Sequence, residues 1–120
     1  MGENNIEIKE RVFFDTASAN IQSKSFKLLD TLSLVVNLHK EIKKLLIAGH
    51  SDSRGDAKKN RELSQKRAES VRKYLIEKGG VDPDRLEAKG FGSDEPLLSE
   101  AKTASQHEVN RRVEFRIMER

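Results

Sequence analysis

Apolar residues recur along this chain with two different periods, and the changes of period divide it into elements. Ile6 and Ile8 alternate with polar neighbours and lead into Val12-Phe13-Phe14, the period of a strand over 6–14. Residues 15–22 carry no apolar period and read as a loop. Leu28, Leu29, Leu32, Val35 and Val36 then fall on one stripe of a helix running to about His39, with Ser23 or Ser25 as its cap. The unbroken run Leu45-Leu46-Ile47-Ala48 centres a buried second strand over 42–51. Asp56 is placed to cap a second helix from Ala57 to about Lys78, which Gly79-Gly80 ends, with Pro83 just beyond. Residues 85–90 form a short third strand, and 91–110 are mostly loop with a helical turn around 99–105. Val113, Phe115 and Ile117 give a last strand over 111–118 one apolar face. The order is β-α-β-α-β-(turn)-β, with too little chain for a doubly wound sheet. The simplest closure is a two-layer α/β sandwich of four strands and two main helices.

The second helix breaks its own pattern. At about 100° per residue, Ala57, Asn60, Leu63, Ser64, Arg67, Ala68, Val71, Tyr74 and Leu75 share one broad face. The C-terminal half of that face is apolar and the N-terminal half is polar. On one reading, this end sits at the sheet edge and Arg67 merely reaches solvent over its aliphatic stem. On the other, the break in patterning marks a functional site. The preceding strand runs into Gly49-His50-Ser51-Asp52-Ser53-Arg54-Gly55. A carboxylate therefore stands at a strand end, and a guanidinium lies on the helix that follows. Together they can hold a zwitterion: Asp52 accepts from an ammonium and Arg67 forks a carboxylate. That is a means of capturing a free amino-acid head group.

Composition narrows the class. A chain of 120 residues fits one domain with one core. With 35% hydrophobic and 36% charged residues, the core is modest and the surface heavily charged. The net charge of +3 arises from 23 basic and 20 acidic residues, interleaved as in Lys9-Glu10-Arg11 and Arg61-Glu62. A nucleic-acid binder concentrates its basic residues on one face, and one Tyr and no Trp leave little for base stacking. There is no cysteine, which excludes a disulfide framework and thiolate chemistry. No apolar run is long enough to span a bilayer. Met1-Gly2-Glu3-Asn4-Asn5 lacks the basic and apolar regions of a signal peptide, and Ile6 breaks the myristoylation pattern.

Other chemistries fit less well. His50-Ser51-Asp52 is not a triad, because adjacent strand residues point to opposite faces. His50 and Asp52 share a face but are too few to hold a metal, and His39 and His107 are not placed to help. His50 reads instead as a core or supporting residue that hydrogen-bonds the loop. Gly90-Phe91-Gly92 opens no helix and is not a dinucleotide fingerprint; it reads as loop. Arg111 and Arg112 face opposite ways on a strand, so at most one can serve a given phosphate. A small hydrolase using Asp52 would need a second carboxylate, and none stands at convincing spacing.

The residues that remain carry a resemblance. Ile47-x-Gly49-His50-Ser51-Asp52-x-x-Gly55, then Asn60-x-x-Leu63-Ser64-x-x-Arg67-Ala68-x-x-Val71, then Gly79-Gly80-Val81, and finally Asn110-Arg111-Arg112-Val113-Glu114 resemble the OmpA-like C-terminal domain. This is the peptidoglycan-binding module of OmpA, the peptidoglycan-associated lipoprotein and flagellar stator B subunits. Val12-Phe13-Phe14-Asp15 fits its first strand, and Gly90-x-Gly92-x-x-x-Pro96 its later loop. Departures are Ser51, where the family commonly has Thr or Ala, and the paired Gly79-Gly80.

The resemblance implies a βαβαβ(α)β sandwich with a four-stranded mixed sheet over residues 1–120, as one domain of a longer envelope protein. It implies non-covalent binding of peptidoglycan at the meso-diaminopimelate of the stem peptide, with no cofactor, no metal and no catalysis. By motif position the acidic role falls on Asp52, beside Ser51, and the basic role on Arg67. Asn60 and Leu63 support them, Arg111 forms a third wall, and Phe14 and Asp15 line the pocket through their backbone. Diaminopimelate in a stem peptide keeps one free ammonium-carboxylate end at a D centre, which such an Asp-Arg pair matches. Lysine lacks that carboxylate and would leave Arg67 unpaired. The expected setting is the periplasm, tethered to the outer membrane or, in a stator, to the inner membrane. Contact with a membrane would come only through flanking segments. A β-barrel, a lipid anchor and a transmembrane helix are all compatible, and so is a homodimer.

Overall fold

The computed structural model describes residues 5–6, 12–15, 18–50, 56–92 and 113–119. Its centre is a strand that the apolar run demands. Strand β2 (Lys44–His50) is buried from Leu45 onward. Strand β3 (Leu86–Gly92) pairs with it in parallel, from Leu45 opposite Leu86 to His50 opposite Gly92. Strand β4 (Val113–Glu119) pairs antiparallel on its other side, with Ile47 opposite Phe115 and Gly49 opposite Val113. The two-residue strand β1 (Asn5–Ile6) lies antiparallel along β4, giving a mixed sheet of order β1-β4-β2-β3. Helices α1 (Phe26–Leu38) and α2 (Ala57–Glu77) form the second layer.

Three long strands therefore carry the sheet, where four had been expected. Among the described residues of the first-strand region, Asn5 and Ile6 pair with β4, and residues 12–15 stay outside the sheet. Their backbone is satisfied locally. Phe14 forms an isolated bridge with Ile21, Gln22 N–H donates to the Phe13 carbonyl at 2.8 Å, and Phe13 N–H donates to Ser25 Oγ at 2.7 Å. That last bond diverts Ser25 from the capping role its position suggested, for it makes no side-chain bond to the helix start. Phe91 and Gly92, expected in the loop after a third strand over 85–90, continue β3 to its end.

The core joins Leu29, Leu32 and Val36 of α1 to Ala68, Val71 and Leu75 of α2, over Leu45, Ile47, Phe115 and Ile117 of the sheet. Asp56 caps α2 as its position implied, accepting from Lys58 N–H at 2.8 Å and Lys59 N–H at 3.2 Å. Gly79 and Gly80 end it for two different reasons. Gly80 adopts a φ of +69°. A Cβ on Gly79 would instead strike the Ser33 hydroxyl of α1. Pro83 opens a short 3-10 turn (Pro83–Arg85) that leads into β3.

Strand β3 is the sheet's other edge, and side chains of α2 satisfy its outward backbone. Arg72 Nε donates to the Leu86 carbonyl at 3.1 Å. Gln65 donates through Nε2 to the Ala88 carbonyl at 3.2 Å and accepts from Gly90 N–H at 2.6 Å. Ser64 Oγ accepts from Gly92 N–H at 3.0 Å. The alternating residues 86, 88, 90 and 92 face one way along a strand, so these bonds cover an edge that would otherwise template pairing.

Arg85, read from sequence as the first residue of the third strand, closes the opposite end of the molecule. Its guanidinium donates to the carbonyls of Val36 at 2.9 Å, His39 at 3.0 Å and Ile42 at 2.8 Å, tying the end of α1 to the turn that leads into β2. Arg85→Ala should cost about 2–3 kcal/mol, since several charge-assisted bonds to partly buried carbonyls disappear together. Arg85→Lys should recover only part of that, lacking the planar fork. Urea unfolding of the three proteins measures the difference, and equal midpoints for wild type and Arg85→Ala would overturn the assignment.

Candidate ligand-binding site

The site region lies where the polar half of α2 meets the segment before α1. Ser18 N–H and Arg67 Nη2 both donate to the Asp15 carbonyl, at 3.1 and 3.4 Å. Arg67 Nε donates to the Ser18 carbonyl at 2.8 Å. The same guanidinium stands over the Phe14 ring, 4.9 Å from its centroid. Arg67 is half-buried. Of the two readings of this residue, the one in which it merely reaches solvent is thus displaced: the guanidinium closes a seam between α2 and Phe14, Asp15 and Ser18.

Residues 13–15 and 18–22 are held to one another by their backbone and side chains. Asp15 N–H donates to the Asn20 carbonyl at 3.0 Å. The Asp15 carboxylate accepts from Asn20 Nδ2 at 2.7 Å and from Gln22 Nε2 at 3.4 Å. Asp15 thus presents its carbonyl toward Arg67 and turns its carboxylate back onto the loop. Ser18, which no motif singled out, is the residue whose carbonyl fixes Arg67 Nε. The only hint in the sequence was the cluster of turn-forming residues around it, Asp15, Ser18 and Asn20.

Along α2, Asn60, Leu63 and Arg67 stand three or four residues apart and so share a face. Asn60 and Leu63 are both half-buried. Ser64 differs from them. It is 2% exposed, donates to the Arg61 carbonyl at 2.9 Å and accepts from Gly92. Part of the polar break in the helix is therefore structural. Ser64 and Gln65 replace apolar residues because they answer the backbone of β3.

Three glycines allow that approach. A Cβ on Gly49 would run into the Ser64 carbonyl, one on Gly90 into the backbone of Gln65, and Gly92 packs against Arg61 with a φ of +59°. Two strands and a helix thereby converge tightly at one end of the sheet, where β2 ends at His50 and β4 starts at Val113, opposite Gly49. Ser51, Asp52 and Arg111 lie outside the described residues.

His50 is buried at 3% exposure on the sheet face away from the helices. Its Nε2 lies 3.5 Å from the Glu114 carboxylate, and its ring stacks on Phe91 at 5.4 Å and 11°. Glu114 also accepts from Arg116 Nη2 at 2.8 Å, and Arg116 reaches across β2 to within 5.5 Å of the Phe91 ring. Ala48, wholly buried between these flanking strands, is small enough to let the side chains close over it. His50 is thus packed as a core residue, in line with the structural role read for it. No three His, Asp or Glu residues among those described converge to hold a metal ion.

A mixed sheet, two helices on one face and a polar helix start docked on glycines define a small two-layer α/β module, and comparison with known proteins identifies its family. Residues 13–111 match the model of the OmpA family, and the chain belongs to that family. It is 35% identical over 106 residues to outer membrane protein A of Bordetella avium, covering 88% of this chain and 53% of that protein. It is 36% identical over 121 residues to motility protein B of Bacillus subtilis, covering 96% of this chain and 45% of that one. The chain thus spans about half the length of these curated relatives. Among solved structures it superposes on the peptidoglycan-associated lipoprotein of Burkholderia pseudomallei with a TM-score of 0.78 at 31% identity, covering 89% of each chain. The family and the relation to outer-membrane and envelope-anchoring proteins therefore stand as the motifs implied, and so does the mixed α/β class of the fold, with three long strands in place of four.

Proposed function

We propose that this domain binds peptidoglycan non-covalently through the meso-diaminopimelate of its stem peptide, and so anchors an outer membrane or an envelope complex to the cell wall. The observation that carries the reading is Arg67. Its guanidinium is preset by the backbone carbonyls of Asp15 and Ser18 and the face of Phe14, at their seam with α2. The solved structure of a peptidoglycan-associated lipoprotein with this fold supports it. In the proposed complex Arg67 forks the free carboxylate of the diaminopimelate and Asp52 accepts from its ammonium. Asn60, Leu63, Ser51 and Arg111 complete the walls, and the backbone at Phe14 and Asp15 closes one side. The ligand is held by fixed charges and no bond is made or broken, so the module is not an enzyme. It works in the periplasm, with its tether supplied by flanking segments: no helix among the described residues is long and apolar enough to cross a membrane.

Selectivity follows from the pair of charges. A stem peptide with L-lysine offers the ammonium without the carboxylate, leaving Arg67 without its ligand partner at a cost of roughly 1.5–3 kcal/mol. Calorimetric titration should therefore give at least about tenfold weaker binding for the lysine peptide, since ~1.4 kcal/mol is a factor of ten. Asp52→Asn keeps the shape, removes the charge and should weaken the diaminopimelate peptide sharply. Equal affinity for both peptides, erased by salt, would reduce the reading to generic electrostatics.

A further inference from the structure

Helix α1 and its flanks carry the chain's whole charge imbalance. Residues 23–44 contain the lysines Lys24, Lys27, Lys40, Lys43 and Lys44 against the acids Asp30 and Glu41, a balance of +3. The full chain also has a net charge of +3, so the remaining residues hold equal numbers of bases and acids. Both acids are engaged: Asp30 accepts from the Tyr74 hydroxyl at 2.7 Å, and Glu41 lies 2.9 Å from His39 Nδ1.

An apolar stripe runs between the lysines. Leu29, Leu32 and Val36 of α1 turn into the core. On the opposite side Lys27, Thr31, Leu34 and Leu38 follow one another at steps of three or four residues. Leu34 is 59% exposed and Leu38 71%, with Val35 beside them at 36%. Leucines scattered singly on a surface are ordinary, whereas a cluster framed by charge of one sign marks an interaction site. Lys24 and Lys27 frame it at the helix start, and Lys40 and Lys43 in the turn past its end; these four are exposed. None of these residues belongs to the seam of Arg67 with Phe14, Asp15 and Ser18.

The kind of charge selects the occupant. A second copy would set lysines against lysines. A folded acidic partner is gripped by aromatic anchors and by arginine forks on its carboxylates. Residues 23–44 contain no Arg, Tyr or Trp, and Phe26 is stacked on Tyr74. Lysines around exposed leucines on a helix suit an anionic bilayer surface instead. Their ammoniums attract headgroups as point charges, and the leucines enter the boundary with the acyl chains. A helix of 13 residues, about 20 Å long and exposed along one side, offers a line that a flat surface can meet. We infer that the outer side of α1 docks on the headgroups of an anionic lipid bilayer, with Leu34 and Leu38 dipping below them between the two lysine pairs. The contact is direct, additional to any tether in flanking segments, and independent of the peptidoglycan reading.

The test is co-sedimentation of the purified chain with vesicles of equal parts phosphatidylcholine and phosphatidylglycerol, and with vesicles of phosphatidylcholine alone. The chain should bind the first and not the second. Each Lys→Gln replacement at Lys27, Lys40 and Lys43 should weaken binding about fivefold. Replacing Lys58, Lys66 and Lys89 by Gln, also at exposed positions, lowers the net charge equally and should weaken it far less. Leu34→Gln with Leu38→Gln should weaken it at least about tenfold, with melting temperature and sedimentation with sacculi unchanged. No binding to anionic vesicles, or equal loss from the two lysine triples, overturns the inference. A dimer in analytical ultracentrifugation that the leucine pair abolishes also overturns it, making this face a contact between copies. Equal affinity for soluble polyglutamate does so too, making it a site for an acidic protein. Each of these outcomes leaves the Arg67 reading standing.

Discussion

Arg67→Ala should lower affinity for diaminopimelate-containing sacculi by roughly ten- to a hundredfold while the domain stays folded. The guanidinium is the charge proposed to meet the ligand carboxylate, and losing a charge-assisted, two-pronged contact removes roughly 1.5–3 kcal/mol, with the ligand carboxylate then left desolvated as well. The structural part of its role is smaller. Arg67 is half-buried, and the carbonyls it holds, those of Ser18 and Asp15, lie at the surface end of the seam. Water can replace it there, so the stability loss should stay near 1 kcal/mol. Arg67→Lys should also bind poorly, because an ammonium cannot span both carboxylate oxygens. Sedimentation with purified sacculi, alongside circular dichroism of each variant, separates the two roles. If Arg67→Ala unfolds, the residue is a strut between α2 and the backbone at Asp15 and Ser18. If it stays folded and still binds like wild type, the ligand is held elsewhere.

Gly90→Ala should have the largest effect on stability. Its Cβ would fall on the backbone nitrogen of Gln65 and within 2.5 Å of that residue's Cα, where no side chain can swing aside. Helix α2 would have to lift from β3, straining the bonds from Gly90 N–H to Gln65 and from Gly92 N–H to Ser64. Overpacking of this kind costs about 1–3 kcal/mol, and the strained bonds add to it. With several degrees lost per kcal/mol in a domain of this size, the melting temperature should fall by about 10 °C or more. Gly49→Ala meets the Ser64 carbonyl and should behave similarly. Gly80→Ala is the contrast. Nothing lies within 4 Å of its Cβ, and only the positive φ is penalised, so it should cost about 1 kcal/mol. A Gly90→Ala variant melting within 2 °C of wild type would show that the close docking of α2 is not needed.

The sequence by itself determined the elements that local chemistry controls. The apolar run Leu45 to Ala48 had to be a buried strand, and it is the centre of the sheet. The stripe of α1, the Asp56 cap and the paired glycines after α2 fixed the two helices within a few residues. The long spaced motif from Gly49 to Arg67 was enough to indicate the family. Tertiary structure decided the rest. Whether residues 12–15 join the sheet depended on a bond from Phe13 to Ser25, twelve residues away, which no period reveals. The sequence pattern places Phe91 and Gly92 in a loop; the strand runs on through them where α2 comes close enough for Ser64 to reach the Gly92 amide. For the same reason the polar start of α2 mixes two kinds of residue that look alike in sequence. Ser64 and Gln65 answer the edge of β3, whereas Arg67 turns to the carbonyls of Ser18 and Asp15, 49 and 52 positions away. Side-chain type and period are written along the chain. The partner that a polar group finds across it depends on how the layers pack, and only the folded structure specifies that.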